Sequence, residues 1–376
     1  MTVALRADAI VIGAGIVGAA CARALARDGL KVMILEAEFA GGGTTAAGMG
    51  HLVAMDDSPD QLALTALSME LWRELRNTLP SAVEFDACGT IWVAENNEQM
   101  DAVVDKQRVY GARGIETEIL DAPHLHALEP NLRRDLAGGL RVPSDAVVYP
   151  PCAALALLAD ALTHGAVLHE KCRVDEILDR GVRIGTDVLR ADVVVNAAGA
   201  EGARLTPALP IVPRKGHLAI TDRYPGFCRH QLVELGYLAS AHMMTNESVA
   251  FNVQPRATGQ VLIGSSRELA GWEPSTNHGV LRQMLERAVE FMPGLSRMSI
   301  VRTWTGFRPA TPDKLPLIGR WTPVEGLYVA AGHEGLGITT SLGTARLIAD
   351  LVLGRVPPIA AAAFSPMRVL STAEAH

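Results

Sequence analysis

Three glycines and one carboxylate near the N-terminus have the spacing of a dinucleotide-binding fingerprint. Gly13, Gly15 and Gly18 follow an apolar run, and Glu36 ends a second apolar run. In such a βαβ unit the first glycine makes a tight turn, the second lets the backbone approach a pyrophosphate, and the third lets the helix pack closely on the strand. The helix N-terminus offers N–H groups to phosphates, and the acid accepts hydrogen bonds from a ribose diol. An acid here argues against a 2′-phosphate, but the motif does not decide between NAD and FAD.

A stretch of glycines, hydroxyls and small side chains follows the fingerprint at residues 39–52. Such a segment can lie flat against a planar ligand, and Thr44 and Thr45 can bond phosphate or ribitol oxygens. The alternative is a flexible surface loop. We expect a cofactor contact because the stretch comes directly after a dinucleotide fingerprint.

Composition limits the class of protein. The chain has 376 residues and a net charge of -7, which gives no basic footprint for nucleic acid. Its five cysteines form no C-x-x-C pair and no metal-ligand spacing, so we expect free thiols, no metal site and a reducing cytoplasm. No apolar run reaches the roughly 18 residues of a membrane span. The expected location is cytoplasmic, with peripheral association at the inner face of the membrane as the alternative.

The order of apolar patterns predicts an α/β fold with an inserted second domain. A continuous apolar run at 192–200 reads as a buried parallel strand ending in small residues, whereas 211–300 alternates strand and turn. We therefore expect a Rossmann-like dinucleotide-binding domain from residues 1–80, 145–210 and 305–376. Residues 81–144 and 211–304 would form an α+β substrate-binding domain built on an antiparallel sheet. This insertion is hard to reconcile with a plain NAD dehydrogenase.

An ordered set of motifs makes the prediction more specific. In chain order they read GAGIVG with Glu36, GGGTTAAG, VVNAAGA, PRKGH, GFRP followed by TPDKLPLIG, and GHEGLGITTSLGTA. Over essentially the whole chain this set resembles the D-amino-acid oxidase-like flavoenzymes, which include glycine oxidase, sarcosine oxidase and D-amino-acid dehydrogenases. The stretch AAGMGHLVAMDDSP looks most like the flavin (beta) subunit of bacterial D-hydroxyproline dehydrogenases, with opine and glycine-type dehydrogenases close behind. The resemblance implies FAD as the cofactor.

The resemblance also assigns residues to the cofactor. It implies that the ADP half of FAD is held by Gly13, Gly15, Gly18 and Glu36. The residues along the flavin or adenine would be Thr44, Thr45, Gly48, Val174, Ala198 and Gly199. The pyrimidine end of the flavin would be wrapped by Gly332, Gly335, Gly337, Ile338 and Thr339. Relatives of the sarcosine oxidase type hold flavin through a cysteine where this chain has Ala310, so the FAD is expected to be non-covalent.

Three residues are the candidates for contact with the substrate. Arg308 in GFRP matches the arginine that binds the substrate carboxylate, a role suited to a bidentate guanidinium; the alternative is a surface ion pair. His51 matches a basic position near the reactive N5 of the flavin, with a merely packed or solvated histidine as the alternative. Tyr237 is a candidate second contact to the carboxylate or amine.

The predicted reaction is oxidation of the Cα–N bond of a small amino or imino acid by hydride transfer to flavin N5. The best match for the substrate is cis-4-hydroxy-D-proline, which would give a pyrroline carboxylate. Alternatives are a glycine, sarcosine or D-amino-acid oxidase, an opine dehydrogenase subunit, an NAD-dependent dehydrogenase and a non-catalytic partner subunit. Dehydrogenases of the subfamily are often hetero-oligomers, so a companion redox subunit or a quinone-type acceptor is expected to take the electrons.

Overall fold

The computed structural model describes residues 7–236 and 247–373. Its helices, numbered in chain order, are α1 Ile16–Arg27, α2 Gly43–Ala46, α3 Pro59–Leu75, α4 Asn97–Gly111, α5 Ala122–Leu128, α6 Pro150–Thr163, α7 Gly202–Leu205, α8 His278–Phe291, α9 Gly337–Val352 and α10 Arg368–Ala373. Short 3₁₀ turns occupy Arg76–Thr78, Ser81–Val83, Gly199–Glu201, Pro293–Arg297, Glu334–Leu336 and Ala362–Phe364.

The strands fall in two runs, before and after α7. The first run is β1 Ala9–Ile12, β2 Val32–Leu35, β3 His51–Leu52, β4 Thr90–Ala94, β5 Glu118–Asp121, β6 Gly138–Val142, β7 Ala146–Val147, β8 Val167–His169, β9 Glu176–Leu178, β10 Gly181–Ile184, β11 Asp187–Arg190 and β12 Val193–Asn196. The second run is β13 Val212–Arg223, β14 Gln231–Glu234, β15 Glu247–Pro255, β16 Gln260–Glu268, β17 Ile300–Ala310, β18 Leu317–Arg320 and β19 Leu327–Ala331.

A six-stranded sheet carries the dinucleotide fingerprint. Its strand order is β18-β19-β12-β1-β2-β8, and every neighbouring pair is parallel except β18 with β19. The strands β1 and β2 are buried at every residue, as expected for strands covered on both faces. Helices α1, α3, α6 and α9 pack together on one side of this sheet, whose core includes Leu25, Leu64 and Leu347. This arrangement confirms the predicted Rossmann-like fold.

An eight-stranded sheet forms the second body, in the order β17-β13-β16-β15-β14-β4-β6-β5. It is antiparallel as expected, apart from one parallel pair, β14 with β4. Helix α8 covers β15 and β16, and Phe251 stacks on Phe291 with ring centroids 4.3 Å apart. Strand β17 stays in this sheet to Ala310, past the boundary predicted at residue 305. The domain division itself remains a proposal.

Local signals account for the start of α3. Ser58 accepts a hydrogen bond from the backbone N–H of Gln61 at 3.1 Å and Pro59 begins α3, both of which are typical of a helix start. The segment 39–52, for which a flexible surface loop was the alternative, contains the single-turn helix α2 and the short strand β3. Its glycines have low intrinsic helix propensity, so the turn depends on contacts from distant parts of the chain.

No helix of the described residues is long and apolar enough to cross a membrane.

Candidate active site

A cavity of about 580 Å³ runs between the two large sheets. It extends from the end of β2, at Glu36, to Arg308 on β17. Most residues that the sequence assigned to the cofactor or substrate lie on its wall; these are Gly13, Gly15, Glu36, Thr44, Thr45, Gly48, His51, Val174, Ala198, Gly199, Arg308, Gly335, Gly337 and Ile338. Gly18, Gly332 and Thr339 do not line the cavity, and Tyr237 lies outside the described residues.

The turn between β1 and α1 needs glycine for two different reasons. Gly13 has φ +99°, and a Cβ there would lie 2.6 Å from the carbonyl oxygen of Ala197 at the end of β12. A Cβ on Gly18 would lie 2.0 Å from the carbonyl oxygen of Gly13, so Gly18 permits close packing of helix on strand and is not part of the cavity wall.

Glu36 is held at the end of β2 by backbone donors. Its Oε2 accepts from Ala14 N at 2.7 Å, and its Oε1 accepts from Glu38 N at 2.8 Å. A carboxylate oxygen has more than one lone pair, so the anchored group can still accept from a ribose diol. The position therefore suits the role that the sequence predicted.

The threonines of α2 bond to protein atoms, which the sequence did not predict. Thr45 Oγ1 accepts from Ile16 N at 2.9 Å and so satisfies the first N–H of α1. Thr44 Oγ1 donates to the carbonyl oxygen of Phe307 at 2.7 Å, which joins α2 to the strand that carries Arg308. Each hydroxyl keeps capacity for one further partner in the cavity. These two bonds couple the dinucleotide end of the cavity to its other end.

The start of α9 forms the far wall. Thr339 Oγ1 donates to the carbonyl oxygen of His51 at 2.8 Å and accepts from Val53 N at 3.3 Å, so its hydroxyl holds β3 in place. Gly337 and Ile338, the first residues of α9, line the cavity. The N-terminus of a helix of this length presents partial positive charge and backbone N–H groups to whatever lies against it.

Arg308 is fixed by a glycine and a carbonyl group. Its Nη1 donates to the carbonyl oxygen of Ser266 at 2.8 Å. A Cβ on Gly216 would lie 2.2 Å from that Nη1 and 2.7 Å from Cζ, so the guanidinium lies directly over this glycine. The side chain is half-buried and faces the cavity, which places a bidentate donor for a carboxylate at the end away from Glu36.

His51 is a neutral group beside Arg308. Burial lowers the pKa of His51 to about 4; the side chain of Gln254 opposes this shift and the nearby charge of Arg308 adds to it. Its Nε2 is buried and has no hydrogen-bond partner among the described residues. At neutral pH the imidazole therefore presents an uncharged, unsatisfied ring nitrogen to the cavity.

Sequence reasoning missed four residues near Arg308. Asn252, on β15, is 4 % exposed, lines the cavity, and has a buried Oδ1 with no partner among the described residues. Glu334 follows His333, and Arg214 and Arg267 lie on β13 and β16. Arg214 and Glu334 lie within the motifs PRKGH and GHEGLG, which was the available signal, whereas nothing in the sequence around Asn252 and Arg267 singles them out.

The cavity fits FAD by its shape and by its unpaired polar atoms. It is continuous from the glycine turn and Glu36 to Arg308. At the Arg308 end, His51 Nε2, Asn252 Oδ1 and Ser265 Oγ are buried without hydrogen-bond partners among the described residues, which is costly unless a ligand or water satisfies them. The fold and this cavity together define a dinucleotide-binding protein in which a Rossmann-like sheet and an antiparallel sheet enclose one large cavity.

The chain belongs to the FAD dependent oxidoreductase (DAO) family, whose model matches residues 8–351. It is 28% identical to the glycine oxidase of Geobacillus kaustophilus; its structure superposes on that enzyme with a TM-score of 0.87 and covers 96% of this chain and 99% of the other. It is 33% identical to a D-amino acid dehydrogenase of Methylobacterium sp., over 81% of this chain and 73% of the relative. Against the bifunctional protein ThiO/ThiG of Nostoc sp., the identity is 29% over 92% of this chain. The chain spans about half (52%) of that relative's length.

Gly216→Ala is expected to lower kcat/KM for the amine substrate about 10- to 100-fold, because the added methyl group displaces the guanidinium of Arg308 from its position. FAD affinity should stay unchanged, since Arg308 lies at the other end of the cavity from the glycine turn. Gly111→Ala is the matched control, because nothing lies within 4 Å of a Cβ built there. Steady-state kinetics and FAD titration measure both effects, and an unchanged kcat/KM in Gly216→Ala would contradict this geometry.

His333 is expected to make the protein less stable in acid. Its ring is 5 % exposed with Nε2 3.0 Å from Thr344 Oγ1, and burial lowers the pKa of His333 to about 3. Between that value and the unfolded pKa of about 6.5, the unfolded chain binds more protons, so stability falls as pH falls, by about 2 kcal/mol at pH 5.

Urea unfolding at pH 7 and pH 5, at one FAD concentration, tests this prediction. His333→Gln should lose about 2 kcal/mol less than wild type between the two pH values. The exposed His278 offers the control substitution His278→Gln. Identical pH dependence in wild type and His333→Gln would remove His333 as the cause.

Proposed function

We propose that the protein oxidises the Cα–N bond of a small amino or imino acid with FAD held in the large cavity. The observation that carries the proposal is the guanidinium of Arg308, fixed over Gly216 at the end of the cavity away from Glu36. The family relation supports FAD, and relatives named glycine oxidase and D-amino acid dehydrogenase support an amino acid substrate.

The residues that would hold FAD fall into groups according to where they lie along the cavity. Gly13, Gly15 and Glu36, with the first turn of α1, would hold the ADP half, because they offer backbone N–H groups and a ribose-binding carboxylate at one end. Thr44, Thr45 and Gly48 would lie along the cofactor. Gly335, Gly337 and Ile338 at the start of α9 would contact its other end. Val174, between β8 and β9, and Ala198 and Gly199, after β12, also line the cavity.

At the substrate end the side chains bind the carboxylate of the substrate, orient its Cα–H bond and disfavour the charged form of its amine. Arg308 pairs with the carboxylate and so fixes the orientation of the Cα–H bond. The neutral His51 and the buried surroundings favour the uncharged amine over the ammonium, because burial disfavours the charged form. Oxidation removes the Cα–H as a hydride and the N–H as a proton, which leaves an imine that water hydrolyses. Bound FAD supplies the two-electron acceptor for this hydride.

The finer predictions remain proposals. The sequence favours cis-4-hydroxy-D-proline as substrate, with a pyrroline carboxylate as product and a companion redox subunit or quinone-type acceptor. Glycine oxidase or D-amino-acid dehydrogenase activity is the alternative, and both kinds of relative match this chain.

Product analysis tests these alternatives directly. FAD-loaded protein is incubated with glycine, sarcosine, D- and L-alanine, D-proline and cis-4-hydroxy-D-proline, in air and with a quinone analogue without oxygen. Peroxide formation in air would indicate an oxidase, and quinone reduction with little peroxide would indicate a dehydrogenase. A pyrroline carboxylate formed from the hydroxyproline at the highest kcat/KM would support the sequence prediction; turnover of glycine alone would overturn it.

A further inference from the structure

Glu334 is a charged residue in a backbone conformation that favours glycine. Its φ is +45°, in the left-handed region, and it begins the 3₁₀ turn before α9, between Gly332 and Gly335. Glycine would adopt this conformation without the strain that a side chain adds. A carboxylate held at a strained position in the wall of a ligand cavity points to a task for that carboxylate.

Two buried arginines hold one oxygen of this carboxylate. Arg214 and Arg267 are 6 % and 4 % exposed. Arg267 Nε donates to Glu334 Oε1 at 3.2 Å, and Arg214 Nη1 lies 3.6 Å from the same oxygen. Burial would raise the pKa of Glu334, but the charges of Arg267, Arg308 and Arg214 lower it to about 2. Glu334 is therefore ionised at neutral pH.

The second oxygen of Glu334 is available to a ligand. Oε2 accepts no hydrogen bond from the residues that the structure describes, and the side chain keeps 22 % of its surface exposed. Glu334 lines the large cavity and also a smaller adjoining cavity of about 190 Å³. Because a carboxylate oxygen has more than one lone pair, Oε2 can accept an N–H from a molecule bound in the large cavity.

The carboxylate of Glu334 lies close to the guanidinium of Arg308. A Cβ built on Gly335, the next residue, would lie 3.6 Å from Arg308 Nε, and the charge of Arg308 is among those that lower the pKa of Glu334. The nitrogen of an α-amino acid is only two bonds from its carboxyl carbon, so a carboxylate on Arg308 brings the nitrogen close to Glu334. The two opposite charges therefore match the two charged ends of an amino acid.

Glu334 is the acid best placed for this contact. Of the other acids on the described wall of the large cavity, Glu36 and Glu38 lie at the opposite end, and Glu201 forms an ion pair at 3.3 Å with an arginine of α7. Asp57 lines only the smaller cavity. An amine at the Arg308 end would therefore meet the carboxylate of Glu334.

We propose that Glu334 binds the amine of the substrate, accepting an N–H on Oε2 while Arg308 binds the substrate carboxylate. This inference rests on the proposed amine oxidation. The amine enters from water as an ammonium ion, which the carboxylate attracts. The contact remains after the ammonium has released its proton to water, because the neutral amine still has an N–H to donate. Held at both ends, the substrate keeps its Cα–H bond in one orientation.

Two acids that cannot be oxidised test this contact without turnover. 2-Aminoisobutyrate has an amine but no Cα–H, and pivalate has nearly the same shape with a methyl group in place of the amine. Their dissociation constants are measured from the change that each causes in the visible spectrum of FAD-loaded protein. We expect wild type to bind 2-aminoisobutyrate more tightly than pivalate. Glu334→Gln should lower this preference about 10-fold, because glutamine can accept the N–H but lacks the charge.

Two further variants serve as controls. Glu334→Asp keeps the charge and should keep part of the preference, and Glu98→Gln, at an exposed position of α4, should keep all of it. An equal loss of affinity for both acids in Glu334→Gln would show that Glu334 only supports the structure and would overturn the proposal. If Glu334→Gln fails to fold, wild type decides, since equal binding of the two acids by wild type also overturns the proposal.

A second pair of ligands covers the case in which neither branched acid binds. The KM of glycine or D-proline is then compared with the inhibition constant of propanoate or cyclopentanecarboxylate, in which carbon replaces the nitrogen. Reduction of the FAD by an amine, with the same preference in wild type and Glu334→Gln, would overturn the contact with Glu334 and leave amine oxidation standing. Failure of every amino and imino acid to reduce the FAD would overturn the proposed function and this inference with it.

Discussion

Replacing Arg308 with methionine is expected to lower kcat/KM for the amine substrate by at least about 10- to 150-fold, mostly through KM. The reason is that a hydrogen-bonded charge pair contributes about 1.5 to 3 kcal/mol, and methionine keeps the aliphatic stem while removing every donor. The protein should remain yellow, because Arg308 lies at the end of the cavity away from Gly13 and Glu36. Steady-state kinetics with the best amine of the panel measure the effect.

Arg308→Lys separates charge from geometry. Lysine keeps the positive charge but cannot make the bidentate contact, so its kcat/KM should fall between those of wild type and Arg308→Met. Arg223→Met is the control for loss of an arginine elsewhere on the same sheet. An Arg308→Met enzyme with wild-type kcat/KM would exclude Arg308 from carboxylate binding.

Gly13→Ala is expected to abolish FAD binding. The added Cβ would lie 2.6 Å from the carbonyl oxygen of Ala197, and the residue would be strained at φ +99°. Because neither backbone can yield without opening the contact between β1 and β12, the turn that faces the cofactor should be lost. FAD titration and thermal unfolding of the purified variant measure the effect.

Gly29→Ala is a control matched for backbone strain. Gly29 has φ +90°, but nothing lies within 4 Å of a Cβ built there. This variant should lose about 1 to 2 kcal/mol of stability and bind FAD normally. If both variants bind FAD equally well, the close approach of Gly13 to β12 does not shape the cofactor site.

The Rossmann-like half could be predicted because its signals are local. The glycine turn, the two apolar strands and Glu36 lie within one stretch of chain, and each has a single structural interpretation. The antiparallel second body followed from period-two patterning, but the parallel pairing of β14 with β4 did not, because strand partners are set by tertiary contacts.

The substrate end could be predicted only in part. Arg308 was found from a motif, whereas Arg214, Arg267 and Asn252 meet it only through the register of β13, β15, β16 and β17. No spacing within the sequence indicates that these residues lie close to Arg308 in the fold. The roles of the threonines were missed for the same reason, since Thr44 bonds to Phe307 on a strand far along the chain.

Amine oxidation by FAD bound in the large cavity is tested most directly by the anaerobic visible spectrum of FAD-reconstituted protein before and after addition of the amines named above. We expect a yellow protein whose band near roughly 450 nm disappears with at least one of them. We further expect that Arg308→Met stays yellow and keeps the band at the same amine concentration. A protein that stays colourless after reconstitution, or a yellow protein that no amino or imino acid bleaches, would contradict amine oxidation at this site.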